Sequence, residues 1–264
     1  MASGNNDQVQ VLIEKGTIRY LVTLLRSPHI EVVEQAIWGL GNMGGDSHKV
    51  RDLVIHEGAI PLIADILDKA VPGSSFVRNA SWTLSNLCRG RPALPFSKVA
   101  RGVGSLAKVL IQNDVDDVLT DVCWAMSYLS DGGDERIPAI IETGVLQRLV
   151  QLMQHPNVAI SVPSLRTVGN IVTGDDAQTQ LVIEAGALDA LNDLIYNKKK
   201  TIRKEVCWSL SNITAGSSSQ IQQCLDLGII DKLIMILLND DTEIKKEAVW
   251  AVSNCTASAN FHQF

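Results

Sequence analysis

Aromatic residues make up only 5% of this 264-residue chain, so its 46% of hydrophobic residues is mostly Leu, Ile, Val and Ala, the composition of packed helices. A basic excess is missing too: the formal charge is −6 and the isoelectric point about 5.4. That argues against a phosphate-binding surface covering the whole molecule and favours a basic partner. No apolar run approaches the roughly 18–20 residues a membrane helix needs. The opening Met-Ala-Ser-Gly-Asn-Asn-Asp is polar, unlike a secretory leader. Cys88, Cys123, Cys207, Cys224 and Cys255 are odd in number and contain no CxxC pair, which suits small reduced core side chains in a cytosolic or nuclear protein.

Signs of catalysis are equally thin. Gly102-Val-Gly104 is only a fragment of a phosphate loop, and His29, His48, His56, His155 and His262 lack metal-ligand spacing. With no nucleophile arrangement and no cofactor motif, the chain does not look like an enzyme. Lys198 to Lys200, with Arg203 and Lys204, form the densest basic run and read as a solvated loop and helix start.

What the chain does have is a period. Trp38, Trp82, Trp124, Arg166, Trp208 and Trp250 are separated by 44, 42, 42, 42 and 42 residues, and all five tryptophans lie on this grid. Four residues after each grid position stand Asn42, Asn86, Tyr128, Asn170, Asn212 and Asn254. A parallel series runs through Gly16, Gly58, Gly102, Gly144, Gly186 and Gly228. Spacing of this size marks a solenoid of stacked supersecondary units.

Residues 7–46 show one unit. Asp7 can cap a short helix that stops at Gly16, where a residue without Cβ permits a left-handed turn. A second helix from Thr17 carries Leu21, Leu24 and Leu25 at helical spacing. Ser27-Pro28 breaks the chain, and a third helix from about Ile30 to Met43 buries Val33, Ala36, Ile37 and Leu40 before Gly44-Gly45-Asp46 ends it. Later breaks fall at Pro72 to Ser75, Asn113-Asp114, His155 to Asn157, Asn197 to Lys200 and Asn239 to Asp241. The two residues that lengthen the first interval belong to the Val71 to Ser75 loop, where an insertion costs little. Three helices in about 42 residues is an armadillo-type unit. The expected fold is all-α, a right-handed superhelical solenoid of about six armadillo repeats. One solenoid domain spans 1–264, with repeats near 5–46, 47–90, 91–132, 133–174, 175–216 and 217–258.

Each grid residue and its partner at i+4 share a helix face. Five buried amides and a buried Arg166 would each need compensation, so the stripe is expected to face water. Gln35, Asn79, Asp121, Pro163, Glu205 and Glu247, three residues before the grid, fall near the same face. Asp46, Arg89, Asp131 and Thr173 follow it by seven or eight. Carboxamides hold peptide groups, and indoles flank slots that suit a lysine stem near a carboxylate. Extended chains advance about 3.3 Å per residue and packed helices sit about 8–10 Å apart, so successive asparagines would grip every third residue. The expected ligand is an extended peptide rich in Lys and Arg, with no nucleic acid or membrane partner.

Several segments carry a closer likeness: Glu34 to Asp46 (EQAIWGLGNMGGD), Trp82 to Arg89 (WTLSNLCR), Trp124 to Gly132 (WAMSYLSDG), Leu165 to Gly174 (LRTVGNIVTG) and Lys204 to Gly216 (KEVCWSLSNITAG). They resemble the importin-α (karyopherin-α) family over essentially the whole chain, including Arg166 and Tyr128 as departures from the grid. The resemblance implies a nuclear import adaptor that shuttles between cytoplasm and nucleus and binds nuclear localisation signals at a major and a minor site. In the family's order the chain would start at the end of the second repeat, with Ser3-Gly4 in its closing turn. Repeats three to eight would follow. The partial major site would comprise Ser3, Gln35, Trp38, Asn42, Asp46, Asn79, Trp82, Asn86 and Arg89. Asp121, Trp124, Tyr128, Asp131 and Arg166 would lie between the sites. The minor site would comprise Asn170, Thr173, Glu205, Trp208, Asn212, Glu247, Trp250 and Asn254. The importin-β-binding segment and the repeats where the export factor docks would be absent, so the chain reads as truncated at both ends, with uncapped repeats open to self-association. An adhesion or signalling scaffold of the β-catenin type is the alternative, but its groove is positively lined for acidic ligands.

Overall fold

The computed structural model describes residues 6–258, and no strand occurs among them. The chain divides into two compact units between Thr143 and Gly144.

In the first unit, α1 (Asn6–Glu14), α2 (Thr17–Leu24) and α3 (Ile30–Asp46) form one three-helix repeat. The next is α4 (His48–His56), α5 (Ala59–Lys69) and α6 (Ser75–Cys88), followed by α7 (Phe96–Gln112), α8 (Asp116–Leu129) and the short α9 (Arg136–Ile141). Gly16 and Gly58 adopt φ of 69° and 83° between first and second helices, a left-handed conformation that suits glycine. Ile18, Val22 and Leu25 of the second-helix region and Val33, Ala36, Ile37 and Leu40 of α3 are buried. The Gly44-Gly45 pair does not end α3, which continues to Asp46. A Cβ on Gly44 would stand 2.6 Å from Leu87 Cδ2, so this glycine admits α6 at close range instead of stopping the helix.

The stretch 91–132 departs from the three-helix plan, because α7 and α8 are its only helices. Pro92 and Pro95 lack amide hydrogens and disfavour helix in the residues before them, so no first helix forms ahead of Phe96. Once started, α7 runs 17 residues, through Gly102, which has no positive φ. The irregular loop is held by two buried arginines. Arg51 of α4 donates to the carbonyls of Arg89 and Pro92 at 2.7 and 3.0 Å. Arg136 of α9 donates to the carbonyls of Leu94 and Leu129 and lies 5.5 Å from the Phe96 ring centroid. These bonds satisfy carbonyls that a helix would otherwise have paired.

The second unit contains α10 (Leu146–Met153), α11 (Val158–Ile171), α12 (Asp176–Glu184), α13 (Ala187–Leu194), α14 (Lys200–Thr214), α15 (Ser218–Asp226), α16 (Ile229–Asn239) and α17 (Thr242–Ser258). Capping boxes start α12 and α15, Asp175 with Gln178 and Ser217 with Gln220. The basic run at α14 is tied to acids on the next repeat: Lys200 to Asp241 at 2.8 Å, Arg203 to Asp240 at 2.6 Å and Lys204 to Glu243 at 3.4 Å. The Arg203 hydrogen bond holds the Asp240 carboxyl below its ordinary range. On α16, Ile234, Met235 and Leu238 remain exposed.

The two kinds of ruler glycine should respond oppositely to alanine. At Gly102 the added Cβ meets only Ile60 Cγ2, at an ordinary 3.6 Å, and alanine in a helix interior gains about 0.5–1 kcal/mol. Thermal melts followed by circular dichroism should show Gly102→Ala raising Tm by about 2–4 °C and Gly58→Ala lowering it. An unchanged or lower Tm for Gly102→Ala would contradict its place inside α7.

Candidate functional site

In the first unit α3 packs on α6 and α6 on α8; in the second, α11 packs on α14 and α14 on α17. These helices carry every grid residue. None of the five indoles is buried: Trp38 and Trp250 are 46% and 57% exposed, while Trp82, Trp124 and Trp208 are half-buried.

The half-buried rings rest on positions the spacing argument did not single out. A Cβ on Gly41 would come within 2.8 Å of Trp82 Cε3, and one on Gly169 within 2.6 Å of Trp208 Cε3. Both glycines stand three residues after the grid position of the preceding helix, where the other repeats have Ser85, Ser127, Ser211 and Ser253. A row of small residues at that offset was the available signal. It lets the next repeat's indole approach the helix backbone.

The asparagines are less free than a solvent-facing ladder would have them. Asn86 Nδ2 donates to the Gly41 carbonyl at 3.2 Å, Asn212 to Gly169 at 3.4 Å and Asn254 to Ser211 at 2.9 Å. Asn42 donates to Trp38 of its own helix at 3.1 Å. One N–H of each amide therefore joins the repeats or closes its own turn. Those bonds leave the second N–H and the oxygen of the four amides unengaged. Asn170 is 8% exposed, so this member is buried instead of facing water, with the Trp208 ring seated against the adjoining Gly169.

The row three residues before the grid is uneven. Gln35 is exposed, and Asn79, Asp121 and Glu247 are half-buried. Asn79 donates to Glu34 Oε1 at 3.0 Å. Pro163 and Glu205 are buried, contrary to the expectation of an open face. For Glu205 the reason is an ion pair: Arg166 Nη2 donates to Glu205 Oε1 while the guanidinium lies 5.2 Å from the Trp208 ring centroid. Burial pushes the Asp121 carboxyl up to about 6, with Asp117 adding to the shift and Arg78 opposing it.

At the C-terminal ends of the third helices, Asp46, Arg89, Asp131 and Thr173 are exposed. Arg89 reaches the Gly45 carbonyl at 3.4 Å, Asp131 lies 4.0 Å from Arg91, and Thr173 Oγ1 donates to the Asn170 carbonyl at 2.6 Å. Tyr128, which replaces asparagine, stacks on Trp124 with centroids 5.9 Å apart. It also borders a cavity of about 410 Å³ with Arg91, Asp131 and Arg136. Ser3 lies outside the described residues. Cys88 is half-buried and the other four cysteines are buried; burial pushes the thiols of Cys88, Cys207 and Cys224 up to about 12. Among the described residues no cluster of three His, Cys, Asp or Glu could hold a metal, and no helix is long and apolar enough to cross a membrane.

Comparison with known proteins gives a consistent answer. The Armadillo/beta-catenin-like repeat matches residues 5–44, 47–89, 133–173, 175–215 and 217–257. Importin subunit alpha-1b of Oryza sativa subsp. japonica is 49% identical over 176 residues, 66% of this chain and 32% of that protein. Importin subunit alpha-B of Dictyostelium discoideum is 51% identical over 176 residues, 66% of this chain and 34% of that protein. The chain thus spans about one third of the length of these relatives. A designed armadillo repeat protein in complex with the peptide (KR)4 shares the fold with TM-score 0.81 and 25% identity, over 90% of this chain and 99% of that one.

The raised Asp121 pKa has a sign that can be measured. A carboxyl whose folded pKa exceeds its unfolded value favours the fold while neutral, fully so below about pH 3.9. That contribution is lost as pH rises through the folded value of about 6. Asp121→Asn, which stays neutral, should therefore melt about 2–4 °C above the parent at pH 8, with the gap closing by pH 4. Equal melting at pH 8 would show that the carboxylate is not penalised there.

Proposed function

The chain belongs to the Armadillo/beta-catenin-like repeat family, and on that footing we propose that it is an importin-α-type adaptor that binds extended Lys/Arg-rich nuclear localisation signals along the third-helix face. The observation that carries this is the repeated pair of an unburied indole and an anchored carboxamide. Trp82 with Asn86 repeats it in the first unit; Trp208 with Asn212 and Trp250 with Asn254 repeat it in the second. Anchoring matters. An amide already fixed by one N–H loses less freedom on binding, while its oxygen and second N–H meet a peptide group.

Cationic side chains would lie against the indole faces with carboxylates alongside, each contact contributing about 0.5–2 kcal/mol. In this proposal Gln35, Trp38, Asn42, Asp46, Asn79, Trp82, Asn86 and Arg89 form one binding stretch. Asn170, Thr173, Glu205, Trp208, Asn212, Glu247, Trp250 and Asn254 form the other, with Asn170 and Glu205 acting from beneath the surface. The six-repeat division proposed from the period frames both, and shuttling between cytoplasm and nucleus follows from the role. The likeness to importin alpha subunits and the (KR)4 peptide held by a designed relative of the same fold support this reading. The exposed apolar side chains of α16 offer a surface for self-association.

Calorimetric titration with a Lys-Lys-Lys-Arg-Lys peptide should give a Kd of micromolar or better at low salt, weakening steeply as salt is added. Trp208→Ala combined with Trp250→Ala should weaken binding about tenfold or more while leaving helicity by circular dichroism intact. No binding at low salt would overturn the proposal, and wholesale loss of helicity would reassign the indoles to the core.

A further inference from the structure

We propose that Arg166 is an internal occupant of the cation slot on Trp208, and so determines where in the second unit a ligand's cationic side chain can bind. This rests on the groove reading above. The grid position of α11 holds arginine where the other five third helices hold tryptophan. Its guanidinium sits 5.2 Å from the Trp208 centroid, inside the roughly 6 Å over which an aromatic face attracts a cation. Among the described residues, Trp208 is the indole with a cation over its ring.

The partner carboxylate completes the slot. Arg166 Nη2 pairs with Glu205 Oε1, and the two side chains are 49% and 8% exposed. The guanidinium therefore stands at the mouth with the carboxylate beneath it. Glu205 Oε2 is buried with no hydrogen-bond partner, an uncommon state for a polar atom. An electron-rich ring and a carboxylate are the two groups a ligand lysine would seek. The chain's own arginine already engages both, and an arriving ammonium meets a fixed like charge. Among the described residues no cation lies over the Trp250 ring, and Glu247 stands three residues before Trp250. Ligand cations are thus directed to the Trp250 side and kept from the Arg166 side.

Arg166→Gln tests this, because the amide can still donate to Glu205 while the positive charge over the ring is gone. The Lys-Lys-Lys-Arg-Lys peptide should bind Arg166→Gln roughly three- to tenfold more tightly than the parent. Arg166→Lys should behave as the parent, and adding Trp208→Ala to Arg166→Gln should abolish the gain. Unchanged affinity in a folded Arg166→Gln protein, with the parent binding normally, overturns the assignment and leaves the groove reading standing. Absence of binding to both parent and variant overturns both. If Arg166→Gln does not fold, the unaltered protein decides: the Arg166 Nε–H resonance should stay in place as peptide is added. A large shift toward its solvated position would show that the ligand displaces Arg166, contrary to the proposal.

Discussion

The stack depends on how one third helix meets the next. An indole rests against a small residue of the preceding helix, and four residues later a carboxamide N–H reaches that helix's backbone carbonyl. Trp82 against Gly41 with Asn86 on the Gly41 carbonyl makes this contact in the first unit. Trp208 against Gly169 with Asn212 on the Gly169 carbonyl repeats it in the second. The ring fixes how closely the helices approach, and the amide fixes their register. Both groups also present their remaining face to the outside. The residues that make these contacts between third helices are thus the ones proposed to meet a peptide, and their spacing follows from the fold and not from flexible loops.

That arrangement explains why the departure at 91–132 is tolerated. Losing a first helix strips hydrogen bonds from the segment after Arg89, but the third-helix series α3, α6, α8 is untouched. Two buried arginines, Arg51 and Arg136, replace the missing backbone pairing with guanidinium donors. A guanidinium can serve several carbonyls at once. The repair sits among first helices and the loop and leaves the third-helix face as it is.

The tryptophan and glycine series made the helix plan and the shared face legible because both depend on spacing along one helix. Five of the six ruler glycines take up the left-handed turn; Gly102 does not, since two prolines upstream moved the helix start. What spacing could not reveal was pairing across repeats. Glu205 looks like a surface carboxylate until Arg166, 39 residues away, is brought over it. The basic run from Lys198 looks like a free charged patch until Asp240, Asp241 and Glu243 of the following repeat meet it. The asparagines' donor bonds belong to the same class: their targets are carbonyls 43 to 45 residues earlier, and any residue type supplies a carbonyl.

These pairings also settle where uncompensated charge remains. Three cations of the basic run, Lys200, Arg203 and Lys204, are paired with acids of the following repeat, which weakens their field at longer range. Asp121 is the opposite case. It is half-buried on the third-helix face, with Asp117 beside it raising its pKa and only Arg78 opposing. A carboxylate held in that state gains more from a cation than a solvated one does, because the cation relieves both the desolvation and the like-charge repulsion. Protonation of Asp121 and the approach of a cation would thus relieve the same penalty.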